Sequence, residues 1–223
     1  MVKANLTKGE QSRLNLINSS REIFNEFGLD LRIKDLADKM GVKTSMITNH
    51  FPTKSLLIQA IAEEYEEKVN VKISQIINPN NVELVSLVRM SSCLMDLQLE
   101  YVSAIMFVLN NNMFAPEDHK KIKDSYLSRR QTIQFFLSQM IEKGIVKEEI
   151  LAPEKFEIFI HSFFILGIHW INNYLTYDFE NEFINVKPLY LKSLYNIIVP
   201  YLTEKGIKEF NEINFSAECC YLI

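Results

Sequence analysis

Apolar residues recur at helical spacing along nearly the whole chain, and Gly, Pro and Asn mark the breaks between runs. The first run sets Leu14, Ile17, Phe24 and Phe27 on one stripe, leaves Arg13, Arg21 and Glu22 off it, and stops at Gly28. A short second run carries Ile33, Leu36, Ala37 and Met40 on one face, with Asp30 as the expected N-cap, and ends at Gly41. Val42 then plugs a turn. A third run starts near Thr44, buries Ile47 and Phe51, and stops at Pro52. Thr53 is placed to cap a long helix through Leu56, Leu57, Ala60, Ile61 and Tyr65 to about Ile77.

Beyond Asn78-Pro-Asn-Asn81, the pattern predicts a helix over about 82–97, another to about 109, and an interruption at residues 110–112. A helix from Pro116 to Lys143 and one from about Pro153 to Tyr177 follow, each with Pro and acids in its first turn. A polar loop over 178–185 leads to a last long helix expected to end near Glu204, with Gly206 as its stop. Few strand signals and no repeats occur. The expected fold class is all-α: an N-terminal three-helix helix-turn-helix domain over residues 1–55 and a larger helical domain over 56–223.

Two short helices joined by a tight Gly-containing turn can set the second helix in the DNA major groove. That helix, residues 44–50, offers Lys43, Thr44, Ser45, Met46 and Asn49 as groove-facing candidates. Asn49 suits adenine, and the methyls of Thr44 or Met46 suit thymine. Thr48, Lys54, Lys34 and Arg32 are expected at phosphates. Ile47 and Phe51 read as core, and His50 as either core support or a phosphate contact.

The residues Phe24, Phe27-Gly28, Ile33-Lys34-Asp35-Leu36-Ala37, Gly41-Val42, Ile47, His50-Phe51-Pro52 and Lys54-Ser55-Leu56-Leu57 resemble the DNA-binding segment of tetracycline-repressor-like (TetR) regulators. The resemblance covers roughly residues 10–60. The chain departs from the pattern at Thr48, where an aromatic that touches a phosphate is usual, at Lys43, where Ser usually caps, and over Gly28–Arg32, which is one residue short. The resemblance implies a dimeric transcription regulator, read here as a repressor, with a small-molecule effector in the larger domain; a cytoplasmic location is expected from the absence of a leader or a membrane-length apolar run.

Composition changes the picture in three places. The net charge of −4 is unevenly spread: residues 1–55 hold nine Lys and Arg against six Asp and Glu, net +3, which falls on the helix-turn-helix. No apolar run reaches a bilayer's width without polar interruption, and no secretory leader is read, so no membrane partner is expected. Cys93, Cys219 and Cys220 have no CxxC spacing and the four His have no metal-ligand spacing, so neither a metal nor a cofactor is expected. Motifs of catalysis are missing, and the chain is read as a non-enzyme.

The last two long runs are apolar nearly all round, which asks for burial on both sides. One side is expected to form a four-helix homodimer interface through Phe164, Ile168, Ile171, Leu175, Leu191, Leu194, Tyr195, Ile198 and Leu202. Met95, Met106, Phe107, Met113, Phe136, Met140, Phe163, His169 and Trp170 are the expected lining of an apolar or amphipathic effector site, Met being adaptable at binding surfaces. A second reading keeps the dimer as a ligand-binding or protein-interaction module whose DNA binding is lost or secondary; Lys43 and Thr48 motivate it.

Overall fold

The computed structural model describes residues 7–109 and 116–219, and among them one isolated antiparallel bridge, Val146 to Leu202, is the only β pairing. The described residues form eleven α-helices, in order α1 Lys8–Phe27, α2 Ile33–Met40, α3 Thr44–His50, α4 Lys54–Ile76, α5 Leu84–Glu100, α6 Val102–Leu109, α7 Pro116–Glu142, α8 Pro153–Asn173, α9 Phe183–Asn196, α10 Glu204–Glu212 and α11 Phe215–Cys219. Two compact units emerge: Met1–Val69 with Leu97–Met113, and Asn70–Asp96 with Phe114–Ile223. The first unit takes in most of α4 and the segment 97–113 in addition to the segment 1–55 expected for it, and Leu57, Ile58 and Ile61 of α4 are buried.

In the first unit, Thr7 and Glu10 form a capping box that starts α1. Leu16, Ile17 and Phe24 turn inward with Leu36, Ala37, Ile47 and Phe51. Phe27, expected on the same stripe, is half exposed, and the Lys39 ammonium lies 3.2 Å from its ring centre. Arg21 lies off the stripe yet is buried: its guanidinium bonds Glu100 at 2.5 Å and stands 4.6 Å over the Tyr101 ring. Asn25 grips the break between α5 and α6, donating to the Glu100 carbonyl at 2.8 Å and accepting the Ser103 N–H at 3.0 Å. A side-chain amide there satisfies backbone groups that a helix end would leave bare.

The start of α2 is capped by Arg32, not Asp30. Arg32 is extended, its backbone N–H donates to Asp35, and its guanidinium forms a bidentate pair with the same carboxylate at 2.8 and 3.0 Å. The hydrogen bond from Arg32 holds the Asp35 carboxyl below the usual carboxylate range. A depressed carboxylate contributes stability above its ordinary pKa of about 4 and loses it as pH falls through the folded value. The amide of Leu36, which bonds the Arg32 carbonyl at 3.0 Å, should therefore keep its exchange protection down to about pH 5 and lose it below about pH 4. Protection of Leu36 unchanged in Asp35→Ala, measured by hydrogen exchange at neutral pH, would show that the pair does not hold this turn.

In the second unit, Val88, Met95, Leu137, Met140, Ile150, Ile160, Ile171, Leu191, Leu194, Tyr195, Ile198 and Leu202 form the core. Lys187 is completely buried in it, and its ammonium donates to both oxygens of Asp96, at 2.7 and 2.8 Å. A buried cation needs such a partner. Trp170 stacks on Phe183, with ring centres 4.9 Å apart, beside Tyr174 and Tyr190. A π-helical turn, Tyr174–Asp178, finishes α8.

The single long helix expected up to Glu204 is broken. It stops at Asn196, a 3₁₀ turn follows over Val199–Tyr201, and α10 restarts at Glu204 behind the Thr203 cap. Pro200 lacks the N–H that would donate to the Asn196 carbonyl, so the α-helical pattern cannot run on through it. Gly206 is not a stop. It lies in the first turn of α10, where a Cβ would stand 2.1 Å from the Ile145 carbonyl oxygen, so only glycine lets the helix dock.

Candidate nucleic-acid interface and effector cavity

Three local features fix the turn between α2 and α3. Gly41 adopts a left-handed conformation, φ 67° and ψ 30°, which lets Val42 N–H reach the Ala37 carbonyl at 3.0 Å and closes the helix end. Lys43 is extended and starts α3 without a side-chain cap. Ile47 and Phe51 are buried, and Pro52 ends the helix by restricting Phe51. With one side of α3 pinned at Ile47, the 100° step per residue sends Ser45 and Asn49 to the opposite side.

Lys43, Thr44, Ser45, Met46 and Asn49 are all exposed, so the five groove-facing candidates share an open face. Lys34 is exposed on α2. Thr48 and His50 are half buried; the Thr48 hydroxyl lies 3.5 Å from the Ser45 carbonyl, and the His50 ring is 6.4 Å from that of Phe51. Two expected phosphate ligands are engaged inside the unit. Arg32 is paired with Asp35, and the Lys54 ammonium donates to the Leu29 carbonyl at 2.6 Å, tying the start of α4 to the turn before α2. Lys54 thus has a structural task that the sequence reading did not give it. Arg13, not chosen from the sequence, stands 5.1 Å over the Phe51 ring at the foot of α3; its place off the apolar stripe of α1 was the only available signal.

The second unit holds a cavity of about 40 Å³ between α5, α7, α8 and α9. Leu87, Met90, Ile133, Phe136, Leu137, Met140, Phe159, Phe163, Leu194, Tyr195, Ile197 and Ile198 line it. The lining brings one hydroxyl, that of Tyr195, which is 2.8 Å from the Ser91 hydroxyl. Burial pushes the Tyr195 phenol far above its usual pKa, so it stays neutral. Phe136, Met140 and Phe163 of the expected effector set are in the wall.

The other expected effector residues are elsewhere. Met95 is buried outside the wall, and Met106 and Phe107 belong to α6 in the first unit. Met113 lies outside the described residues. Trp170 is taken up by the stack with Phe183. His169 is a correction: it is exposed, next to Asn172, and faces away from the core.

The expected dimer stripe also needs correction. Leu191, Leu194, Tyr195, Ile198, Leu202 and Ile171 are each at most 4% exposed within the subunit, so they have no area left for a partner. They are core because α9 lies inward, across α8 and α11. The uncovered apolar side of α8 is displaced toward Ile158, 60% exposed, and Ile165, 45% exposed, with Leu175 exposed and Phe164 and Ile168 half buried. Ile184 and Leu189 of α9 are exposed as well. By length and composition, Pro153–Asp178 is apolar enough to cross a bilayer, and most of it is not covered within the chain.

The sequence matches no protein-family model and no curated protein. Solved structures do match. A TetR-family transcriptional regulator from Marinobacter aquaeolei superposes with a TM-score of 0.74 at 17% identity, over 89% of this chain and 95% of that one. The TetR-family protein CprB from S. coelicolor gives 0.66 at 14%, over 96% and 98%. A ketosteroid transcriptional regulator of Mycobacterium tuberculosis gives 0.60 at 16%, over 91% and 98%. The chain has an all-α helix-turn-helix fold, and that fold is the one shared by TetR-family transcriptional regulators.

Proposed function

We propose that the protein is a homodimeric DNA-binding transcription regulator, acting as a repressor, whose operator affinity is set by a small apolar effector. The observation that carries this reading is the open face of α3: five side chains with base- or phosphate-binding chemistry, on a helix anchored by Ile47 and Phe51. The net charge of +3 over residues 1–55, in a chain of −4, supports it.

The dimer would use the uncovered side of α8 around Ile158 and Ile165, with Phe164, Ile168 and Leu175, together with outward residues of α9. Exposed apolar side chains recurring along one side of a helix support an interface there. Two copies would then present two recognition helices to a palindromic site. The effector would enter the cavity between α5, α7, α8 and α9. At about 40 Å³ the cavity is far below the several hundred Å³ that a bound small molecule takes, so the ligand must push the Met90, Met140 and Phe163 side chains aside. Flexible Met walls lower the cost of that repacking. An apolar ligand suits a wall without charge; a ketosteroid regulator among the structural neighbours is in keeping with this class.

Binding of the dimer to random-sequence duplex should weaken steeply with salt, since phosphate contacts release counterions. Lys43→Ala and Lys34→Ala should each lower the salt slope by about one unit and keep the fold. Lys54→Ala should also loosen the turn at Leu29, which hydrogen exchange would register. Fluorescence anisotropy showing no association with duplex at low salt, with and without apolar ligands, would overturn the regulator in favour of an interaction module.

A further inference from the structure

Guanine is read in the major groove chiefly by a bidentate Arg or a Lys on O6 and N7, and cytosine by an acid on its amino group. The segment from Thr7 to Lys54 contains three arginines, and each is engaged within the unit. Arg21 is buried against Glu100 and Tyr101. Arg32 spends two donors on Asp35. Arg13 lies over Phe51. Helix α3 itself, Thr-Ser-Met-Ile-Thr-Asn-His, has neither Arg nor acid. Its outward chemistry is one amide, two hydroxyls and a thioether, from Asn49, Thr44, Ser45 and Met46, all exposed. Asn presents the donor and acceptor that match N6 and N7 of adenine, and apolar carbon meets the thymine methyl. Lys43 stands at the flank of α3 with an extended backbone, where it reaches a phosphate or a base at the edge of the site.

We propose that α3 reads a half-site whose core positions are A·T pairs recognised in the major groove, with Asn49 on adenine N6 and N7 and Met46 and Thr44 on thymine methyls. The specificity rests on the DNA-binding reading given above and names the class of operator. Of the three arginines, Arg21 is held in the interior, Arg32 is paired with a carboxylate that also closes the first turn of α2, and Arg13 lies over Phe51, which leaves guanine to Lys43 at the edge of the site rather than to the centre of α3.

Selection by the full-length protein from a random duplex pool should enrich sites with contiguous A·T pairs at the centre of each half-site. In the selected duplex, 7-deazaadenine at those positions should cost wild type roughly tenfold in affinity, and Asn49→Ala should be indifferent to the same change. Uracil in place of thymine should cost wild type several-fold, Met46→Ala less, and the double variant Met46→Ala with Thr44→Ala almost nothing. All three variants change exposed side chains, and circular dichroism should match wild type. G·C pairs at the core positions of the selected sites would overturn the proposal. So would A·T selection indifferent to both base modifications, which would place the readout in groove shape. Salt-dependent binding without enrichment would overturn the specificity alone. Absence of any duplex binding would overturn the regulator reading and the specificity together.

Discussion

Ile165→Glu should turn the protein into a folded monomer of 26.1 kDa, while Leu194→Glu should prevent folding. The two residues were equally apolar positions of neighbouring runs in the sequence, and the structure separates them. Ile165 is 45% exposed on the uncovered side of α8, so a glutamate there sits in water in the monomer and becomes a buried, unpaired charge only on association. Leu194 is 3% exposed and lines the cavity, so a glutamate there is buried in the subunit itself. Leaving a charge buried and unpaired costs several kcal/mol. That is a large part of the roughly 5–15 kcal/mol that holds a domain together. Sedimentation velocity at micromolar concentration reads the first outcome and far-ultraviolet circular dichroism the second. A dimer that survives Ile165→Glu and Ile158→Glu together would move the interface off this side of α8. A soluble, fully helical Leu194→Glu would contradict the packing of α9.

Met140→Ala should cost about 2–5 kcal/mol, and a small apolar molecule should restore part of the loss. Met140 is 1% exposed and lines the present small cavity from the α7 side. Truncation joins the vacated volume to a space already walled by Phe136, Phe159 and Phe163. Enlarged apolar cavities stay dry and take up molecules such as benzene. Denaturant melts would give the loss, and thermal melts with benzene the recovery. Benzoate should give no recovery, because the wall offers no counter-charge and the Tyr195 hydroxyl is already bonded to Ser91. Equal recovery by benzoate, or none by benzene, would sink the apolar character assigned to the site.

The helix-turn-helix was legible because its determinants are neighbours in sequence. Gly41, Ile47, Phe51 and Pro52 act within a dozen residues, and the helical starts at Pro116 and Pro153 and the Thr53 cap are just as local. What escaped depends on distant partners. Arg21 is recognisable as a buried cation only beside Glu100, 79 positions on, and the Lys54 tether only beside Leu29. The apolar runs of α8 and α9 announced two buried faces each, but periodicity is silent on whether a face meets its own subunit or another. Spacing therefore does not separate Leu191, Leu194, Tyr195, Ile198 and Leu202, which are buried within the subunit, from Ile158 and Ile165, which are exposed. Of the Met and aromatic residues expected around an effector, three line the cavity. Trp170 does not, because Phe183 approaches it across the α8–α9 turn, a contact with no trace in spacing.

Pro200 was visible in the sequence and its effect was local, so the break after Asn196 was open to prediction. Gly206 was not, since its role lies in what stands opposite. The Ile145 carbonyl occupies the position that any side chain at 206 would need, and the same oxygen accepts from the Thr203 N–H at 3.0 Å. Position 206 is therefore closed to evolutionary drift. Every descendant of this chain that keeps α10 seated against the Ile145 carbonyl must keep glycine there, even alanine being too large. A relative carrying any other residue at that point would have rebuilt the segment from Thr203 onward. The identity of this one residue thus offers a way to tell, from sequence alone, which distant homologues share this C-terminal arrangement.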